Sequence, residues 1–395
     1  VPAAPAEEPP PGPVSADDVN GEIETARPRP AGLLPNGPVS ILDPLLEDAN
    51  TWTKEKMGLE FGMAYTAVYQ QASDGEVGHG GAGDGDVFAR WRLLGDEKSG
   101  WRGLLGVNAE GRHDFGAYTP RDLGDSFGSL WRTVNNFGLQ EFALVQAWWE
   151  QHLLDDAVVV TAGKLDPTNY YDLHRYQNDA TAFLSRAFSN NPTRGHPNNG
   201  LGATAKVKIP GNCHLSIGFQ DANGVKVESG FSTIGEQEWF TAAEFGWTPE
   251  FAHLGKGAYR LTAWHVDERD DDGVPSDQGL AFSSEQEIGG GLVPFLRASM
   301  ADGHVTGVER FACGGFGLEG VLGTKKDLTG IGVSWGDPTD EVLHNQWGGE
   351  VFQRFQLSPD VQFTVGYQYI RRSADTSVAG DDPVGVFEVR VRISF

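Results

Sequence analysis

The chain has 395 residues, with 30 Lys+Arg against 55 Asp+Glu, so its formal net charge is −25 at pH 7. That balance argues against nucleic acid as a partner, since phosphate binding needs a basic face. At 39% hydrophobic residues it is too apolar for a disordered chain, and no run nears the roughly 18 apolar residues of a membrane-spanning helix; 53 Gly with 22 Phe, 11 Trp and 9 Tyr point instead to strands, tight turns and aromatic girdles.

Residues 1–38 hold "VPAAPAEEPPPGPV" and "RPRPAGLLPNGP". So little apolar content predicts an extended or disordered arm, either a passive linker or a tether to a periplasmic or cell-wall partner. Its first residues, Val1-Pro2-Ala3-Ala4, resemble a mature end left after signal removal. Residues 39–56, with "ILDPLLEDANTWTKEK", read as a short, interrupted helix.

From residue 57 to 395 the pattern becomes alternation. Val361, Phe363, Val365, Tyr367 and Tyr369 fall on one face of a strand, and Gln362, Thr364, Gly366 and Gln368 on the other. Phe387, Val389, Val391, Ile393 and Phe395 repeat the apolar row opposite Glu388, Arg390, Arg392 and Ser394. Sixteen such segments are predicted near 57–70, 85–95, 100–112, 139–151, 156–165, 200–209, 212–221, 237–248, 257–267, 279–289, 291–301, 313–323, 329–336, 347–357, 361–371 and 384–395. Their length is what a tilted strand needs to cross a bilayer. Connections after even segments are mostly short, such as "PGN" and "SPD", whereas those after odd segments are mostly long: 71–84, 113–138, 166–199, 222–236, 268–278, 302–312, 337–346 and 372–383. A Greek-key sandwich has no reason to alternate in this way. An all-β, sixteen-stranded antiparallel transmembrane barrel does, with tight periplasmic turns, long external loops and both chain ends on the periplasmic side.

Alternation sends Ala89, Trp91, Leu93, Leu105, Val107, Ala109, Phe245 and Trp247 outward. Arg90, Arg92, Asn108, Glu110, Arg112, Glu244 and Arg260 point inward, as do Glu350 and Arg354. Sealing such charges in a dry interior would cost several kcal/mol each, so this lumen is expected to be wet. The third long loop, 166–199, carries Tyr170, Tyr171, Tyr176, Phe183 and Phe188, a liability in open solvent. It is expected to fold into the barrel and narrow it, with Asp166, Asn169, Arg186 and Arg194 lining the constriction. Aromatic faces for the C–H surface of a pyranose and planar polar groups for its hydroxyls are what a sugar filter requires.

Several stretches resemble the carbohydrate-selective porins of the OprB family: "AWWEQHLLDDAVVVTAGKLDPTNYYD", "FLSRAFSNNP", "GLGATAKVKIPGNCHLSIGFQDANG", "GAYRLTAWHVDE", "EQEIGGGLVPFLRASMADG" and "LSPDVQFTVGYQYI". The resemblance implies a sixteen-stranded barrel in the outer membrane of a Gram-negative-type bacterium, passing monosaccharides and similar small solutes down their gradient. Its partners are then the sugar and outer-membrane lipid, with no cofactor. Related porins often assemble as trimers, which makes a homotrimer an expectation here. Terminal Phe395 resembles the C-terminal aromatic of such barrels.

Other classes find less support. There is no G-x-S-x-G elbow and no H-E-x-x-H pair for an enzyme, and the ten histidines show no ligand spacing for a metal. Cys213 and Cys313 are too few for a disulfide scaffold or a thiolate zinc cluster. The run Asp267-Glu268-Arg269-Asp270-Asp271-Asp272 lacks the spacing of an EF-hand and reads as a solvated loop. A general or ion-selective porin, or an adhesive barrel, remains the alternative.

Overall fold

The computed structural model describes residues 19–25, 32–37, 40, 43–96, 100–269, 272–373 and 382–395. The start of the proline-rich arm, 1–18, and Asp270 and Asp271 of the acidic run lie outside the described residues.

Among the described residues, sixteen long strands and one two-residue strand form a single antiparallel sheet. In chain order they are β1 (Leu59–Ala72), β2 (His79–Leu94), β3 (Arg102–Asp114), β4 (Gln140–Leu153), β5 (Val158–Leu165) and β6 (Gly200–Ile209). Next come β7 (Cys213–Asp221), β8 (Trp239–Trp247), the short β9 (Glu250–Phe251), β10 (Gly255–Val266), β11 (Asp277–Gln286) and β12 (Leu292–Ala301). The last five are β13 (Val308–Glu319), β14 (Leu328–Pro338), β15 (Gln346–Ser358), β16 (Val361–Arg371) and β17 (Val384–Ser394). Each long strand pairs with the next, and β17 pairs with β1, Thr66 opposite Arg392 and Gln70 opposite Glu388. Closure leaves no free edge, so every strand can satisfy its backbone groups within the sheet.

Two strands begin at least five residues earlier than the sequence reading. β2 begins at His79 rather than near 85, because the glycine run Gly80–Gly85 pairs with Tyr65–Gln70 of β1. β13 begins at Val308 rather than near 313, with a register shift against β14 between Val308 and Arg310. The alternation itself is present: Leu261 on β10 is 53% exposed while Thr262 beside it is fully buried. The outer face carries Leu215, Ile217, Phe245, Leu280, Leu296 and Val333, all exposed. Aromatic pairs flank this band. Trp247 and Tyr259 lie 5.4 Å apart toward the short turns, with Phe219–Trp239 (5.4 Å) and Trp335–Trp347 (6.5 Å) toward the long loops. An apolar belt about 25 Å tall between aromatic girdles is the lipid-facing surface of such barrels. Leu261→Arg is therefore expected to lower stability in lipid by about 2–4 kcal/mol. Equilibrium unfolding in phospholipid vesicles measures it, and a neutral result would place that face away from lipid.

The short turns are built from residues that accept positive φ. Between β6 and β7 a three-residue connection, Pro210 to Asn212, reverses the chain with Gly211 (φ 89) and Asn212 (φ 59) at positive φ. Cys213 and Cys313 are both free thiols.

Two helices precede β1. In α2 (Asp43–Met57), Asn50 donates its side-chain amide to the Phe61 carbonyl, and the Met57 carbonyl accepts from Trp91 Nε1 at 2.9 Å. The other, α1 (Val19–Thr25), departs from the extended arm expected of residues 1–38. It lies inside the barrel, with Val19 and Ile23 buried against Ala64, Phe88, Trp148 and Leu165. Glu22 Oε1 accepts from Arg392 at 2.6 Å. The arm is poor in apolar residues on average, but two of them four positions apart suffice to line one helical face.

Candidate functional site

Within the closed wall, the third long loop (166–199) runs across the lumen rather than out of it. Its backbone is tied to one inner strand after another. Glu244 on β8 accepts from the Asp172 amide at 2.6 Å and from Thr262 Oγ1 at 2.8 Å. Arg260 on β10 donates to the Leu173 carbonyl at 2.8 Å, and Glu285 on β11 accepts from the Arg175 amide at 2.6 Å. Arg297 on β12, itself buried, donates to the carbonyls of Asn190 (2.7 Å) and Asp172 (2.6 Å). Glu350 on β15 accepts from the amides of Leu184 and Ser185, both at 2.8 Å. Arg390 on β17 donates to the carbonyls of Asp179 (2.7 Å) and Ala182 (2.9 Å). Charges that would be costly to bury alone are thus spent on loop backbone groups.

Packing completes the attachment. Phe183 meets Phe352 edge-on at 5.0 Å and Phe295 at 5.5 Å, and Phe188 lies 4.7 Å from Phe183. The wall beneath has no side chain at Gly317 and Gly332; a Cβ there would collide with Tyr176 and Phe188 respectively. His174 stacks on Phe295 at 4.8 Å, donates from Nε2 to the Phe188 carbonyl and accepts at Nδ1 from the Tyr176 amide. Burial first, and then Arg297, hold its pKa well below the usual value. Half-buried His196, through burial and then Arg194, is lowered to about 3.

Both histidines are therefore neutral in the folded loop and would protonate near pH 6.5 once it is unfolded. The unfolded state binds more protons below that pH, so stability is full above about 6.5 and falls as pH drops toward 3, by up to about 1.4 kcal/mol per pH unit for each ring. Thermal unfolding in detergent across this range is expected to give a midpoint that drops below pH 6.5, with a shallower drop in His196→Asn. Equal slopes would mean that His196 is not neutral in the fold.

The second long loop (115–139) also turns inward. It carries α3 (Arg121–Ser126) and buries Leu123, Phe127, Trp131, Val134 and Phe137. The Thr133 carbonyl accepts from Gln368 at 2.8 Å, and the Leu130 amide donates to Gln346 at 2.7 Å. The two loops lock together. Asp179 accepts from the Asn136 amide at 2.9 Å, and the Arg132 carbonyl accepts from the Arg186 amide at 3.2 Å. From the fourth long loop, Lys226 reaches Glu110 at 2.7 Å.

The candidate residues divide accordingly. Arg90, Arg92, Asn108, Glu110 and Arg112 share the inner face of β2 and β3. Arg112 pairs with Asp84 at 2.9 Å and with Glu110; Asn108 donates to Asp86 at 3.4 Å; Arg90 pairs with Glu60 at 3.1 Å. At Asn108/Ala109 and Glu110/Arg112 the register shifts because β4 carries an extra residue opposite each step, Val145 at the first, and such bulges bend the strand that holds them and re-aim its side chains. Asn169 donates to Gln146 at 3.2 Å on the adjoining β4. Glu244 and Arg260 hold the loop, as above. Arg194 is buried with a donor bond to the Tyr171 carbonyl at 2.7 Å, and Asp166 caps the turn Pro167–Asn169 through the Thr168 amide at 2.8 Å. These four, like the β2 and β3 residues, have protein groups for partners.

Arg186, at the start of α4 (Arg186–Ser189), joins residues that the sequence reading passed over. Burial first, and then Arg132 and Arg121, lower it to about 10. Burial, then Arg132 and Arg112, lower Arg121 as well. Four guanidiniums from the β3 wall and the two inward loops therefore converge. The Nε atoms of Arg132 and Arg186 are buried with no acceptor among the described residues. The loop's own pattern, "RDLGDSFGSLWRTVNNFG", with its Phe, Leu and Trp, gave the same signal as the third loop.

Residues 97–395 match the model of the carbohydrate-selective porin, OprB family. The chain belongs to that family. Among solved structures, OprB of Pseudomonas putida at high pH superposes with TM-score 0.72 at 16% identity, over 88% of this chain and 97% of that one. A mutant porin of Rh. blastica gives TM-score 0.51 at 11% identity, over 85% and 100%. Porin AaxA of Chlamydia trachomatis serovar L2 is 26% identical over 211 residues, covering 51% of this chain and 44% of that protein. The chain thus spans about half the length of that relative. In this OprB-family barrel, fold and family point to a channel rather than an enzyme.

Proposed function

We propose that this chain is a channel in the outer membrane of a Gram-negative-type bacterium, through which small carbohydrates diffuse down their gradient. The observation that carries the reading is the pair of inward loops, bonded to the wall by charged side chains beside the buried Asp84–Arg112–Glu110 cluster. Planar donors and carboxylates on the inner wall exchange hydrogen bonds with sugar hydroxyls as water is shed, and no bond is made or broken. Assembly as a homotrimer goes with the reading; native mass in detergent tests it. Liposome swelling tests the filter. Arg112→Ala is expected to slow glucose entry more than entry of an uncharged non-sugar of similar size, with the barrel still folded. Equal slowing of both solutes, or none, would count against selection for sugar. A second reading, preference for a sugar bearing a negative charge, is favoured by the four converging guanidiniums.

A further inference from the structure

Toward the short-turn end, below the inward loops, the inner wall carries two aromatic rings laid flat. Phe88 on β2 lies across Gly62 of the neighbouring strand, and Trp148 on β4 lies across Gly106; a Cβ at either glycine would strike the ring. Arg90 and Glu150 stand in the row beside them, on strands that place both inward. Flat rings flanked by a guanidinium and a carboxylate are the chemistry that grips a pyranose, with C–H faces on the rings and hydroxyls on the planar groups.

In this structure α1 covers the rings. Val19 and Ile23 pack on them, leaving Phe88 4% and Trp148 5% exposed. Asn20 takes up the flanking polar groups, donating to Glu150 at 3.2 Å and accepting from Arg90 at 3.4 Å. The helix has seven residues and contains Gly21, so it owes its order to the wall and has almost no stability alone. It presents the apolar face and amide that a bound sugar would otherwise supply.

We propose that Phe88, Trp148, Arg90 and Glu150 form a pyranose-binding shelf on the diffusion path, and that α1 is its built-in competitor. Sugar arriving through the narrowing displaces α1, and α1 returns when the sugar leaves. This rests on the carbohydrate reading above. A shelf covered about nine-tenths of the time binds about tenfold more weakly than an open one.

The test uses full-length protein in planar bilayers, with glucose and maltose as blockers of single-channel current. Ile23→Asp places a charge against the rings and dislodges α1, which contributes no strand to the barrel. Glu22→Gln weakens the contact to Arg392 and serves as the milder variant. Both are expected to raise open-channel conductance and lower the half-blocking sugar concentration, by about tenfold for Ile23→Asp. Adding Trp148→Ala to Ile23→Asp should remove the gain in sugar block while keeping the gain in conductance. Unchanged conductance and block in both α1 variants would overturn the proposal, as would a gain in block that survives loss of Trp148. Glucose uptake by wild-type liposomes separates the two readings. Uptake with inert α1 variants sinks only the shelf, whereas no uptake in any variant sinks the carbohydrate reading itself.

Discussion

Glu350→Ala is expected to widen the channel without unfolding the barrel. Glu350 is buried on the inner face of β15, and its two oxygens accept the amides of Leu184 and Ser185 at the turn into α4. Removing the carboxylate leaves two buried donors with no acceptor, at about 1–3 kcal/mol each. That loss falls on the third loop and not on the sheet, whose ladder through β14, β15 and β16 is made by backbone groups. The loop segment that carries Arg186 and Phe188 then loosens. Single-channel current should become larger and noisier, and a trisaccharide excluded by the wild type should enter liposomes. Glu350→Gln keeps one acceptor and is expected to fall between the two. An unchanged size limit in Glu350→Ala, with the barrel intact, would show that this loop does not set the bore.

How far the sequence reveals this molecule depends on whether a constraint is local. Strand alternation is local: Leu261 and Thr262 declare opposite faces from their neighbours alone, and the sixteen segments and their alternating connections follow from it. The inward loops are only half local. Aromatic residues betray that loop 166–199 must be covered, and the same argument applied to Leu123, Phe127 and Trp131 would have found the second loop. What covers them is written elsewhere, in inward glycines such as Gly332, whose missing side chain makes room for Phe188. Nothing near Phe188 in the chain announces that partner.

The candidate residues divide along the same line. Alternation places Glu244 and Arg260 on the inner face, yet cannot say that their partners are the Asp172 amide and the Leu173 carbonyl, 70 or more positions away. A charge that faces the lumen and a charge that holds a loop in the lumen look alike in one dimension. The helix α1 was obscured by averaging: a proline-rich composition describes the arm as a whole, while its position is set by Val19, Glu22 and Ile23.

The convergence of Arg112, Arg121, Arg132 and Arg186 leads to the other large expected effect, a change in ion selectivity on Arg132→Gln plus Arg186→Gln. The chain is strongly acidic overall, yet four guanidiniums gather here, with Asp84, Glu110, Asp122 and Asp125 as their carboxylates. Arg112 is matched by Asp84 and Glu110, and the Arg132 Nε lies 3.7 Å from Asp125. A unit charge about 8 Å from a passing anion contributes about 2 kcal/mol at an effective dielectric near 20, roughly a thirtyfold local preference. The Nε atoms of Arg132 and Arg186 make no hydrogen bond among the described residues, and the Asp125 that Arg132 meets at 3.7 Å is exposed to water, so glutamine at these positions removes charge and folding should be nearly unaffected. Reversal potentials in a potassium chloride gradient are expected to move toward cations by several-fold in permeability ratio. The move should be larger at 0.01 M salt than at 1 M, where the Debye length shrinks from about 30 Å to about 3 Å. Gluconate should lose more flux than glucose in the same variant. If the reversal potential stays put while the barrel remains folded, the guanidiniums do not face the solute path, and the preference for a charged sugar falls with them.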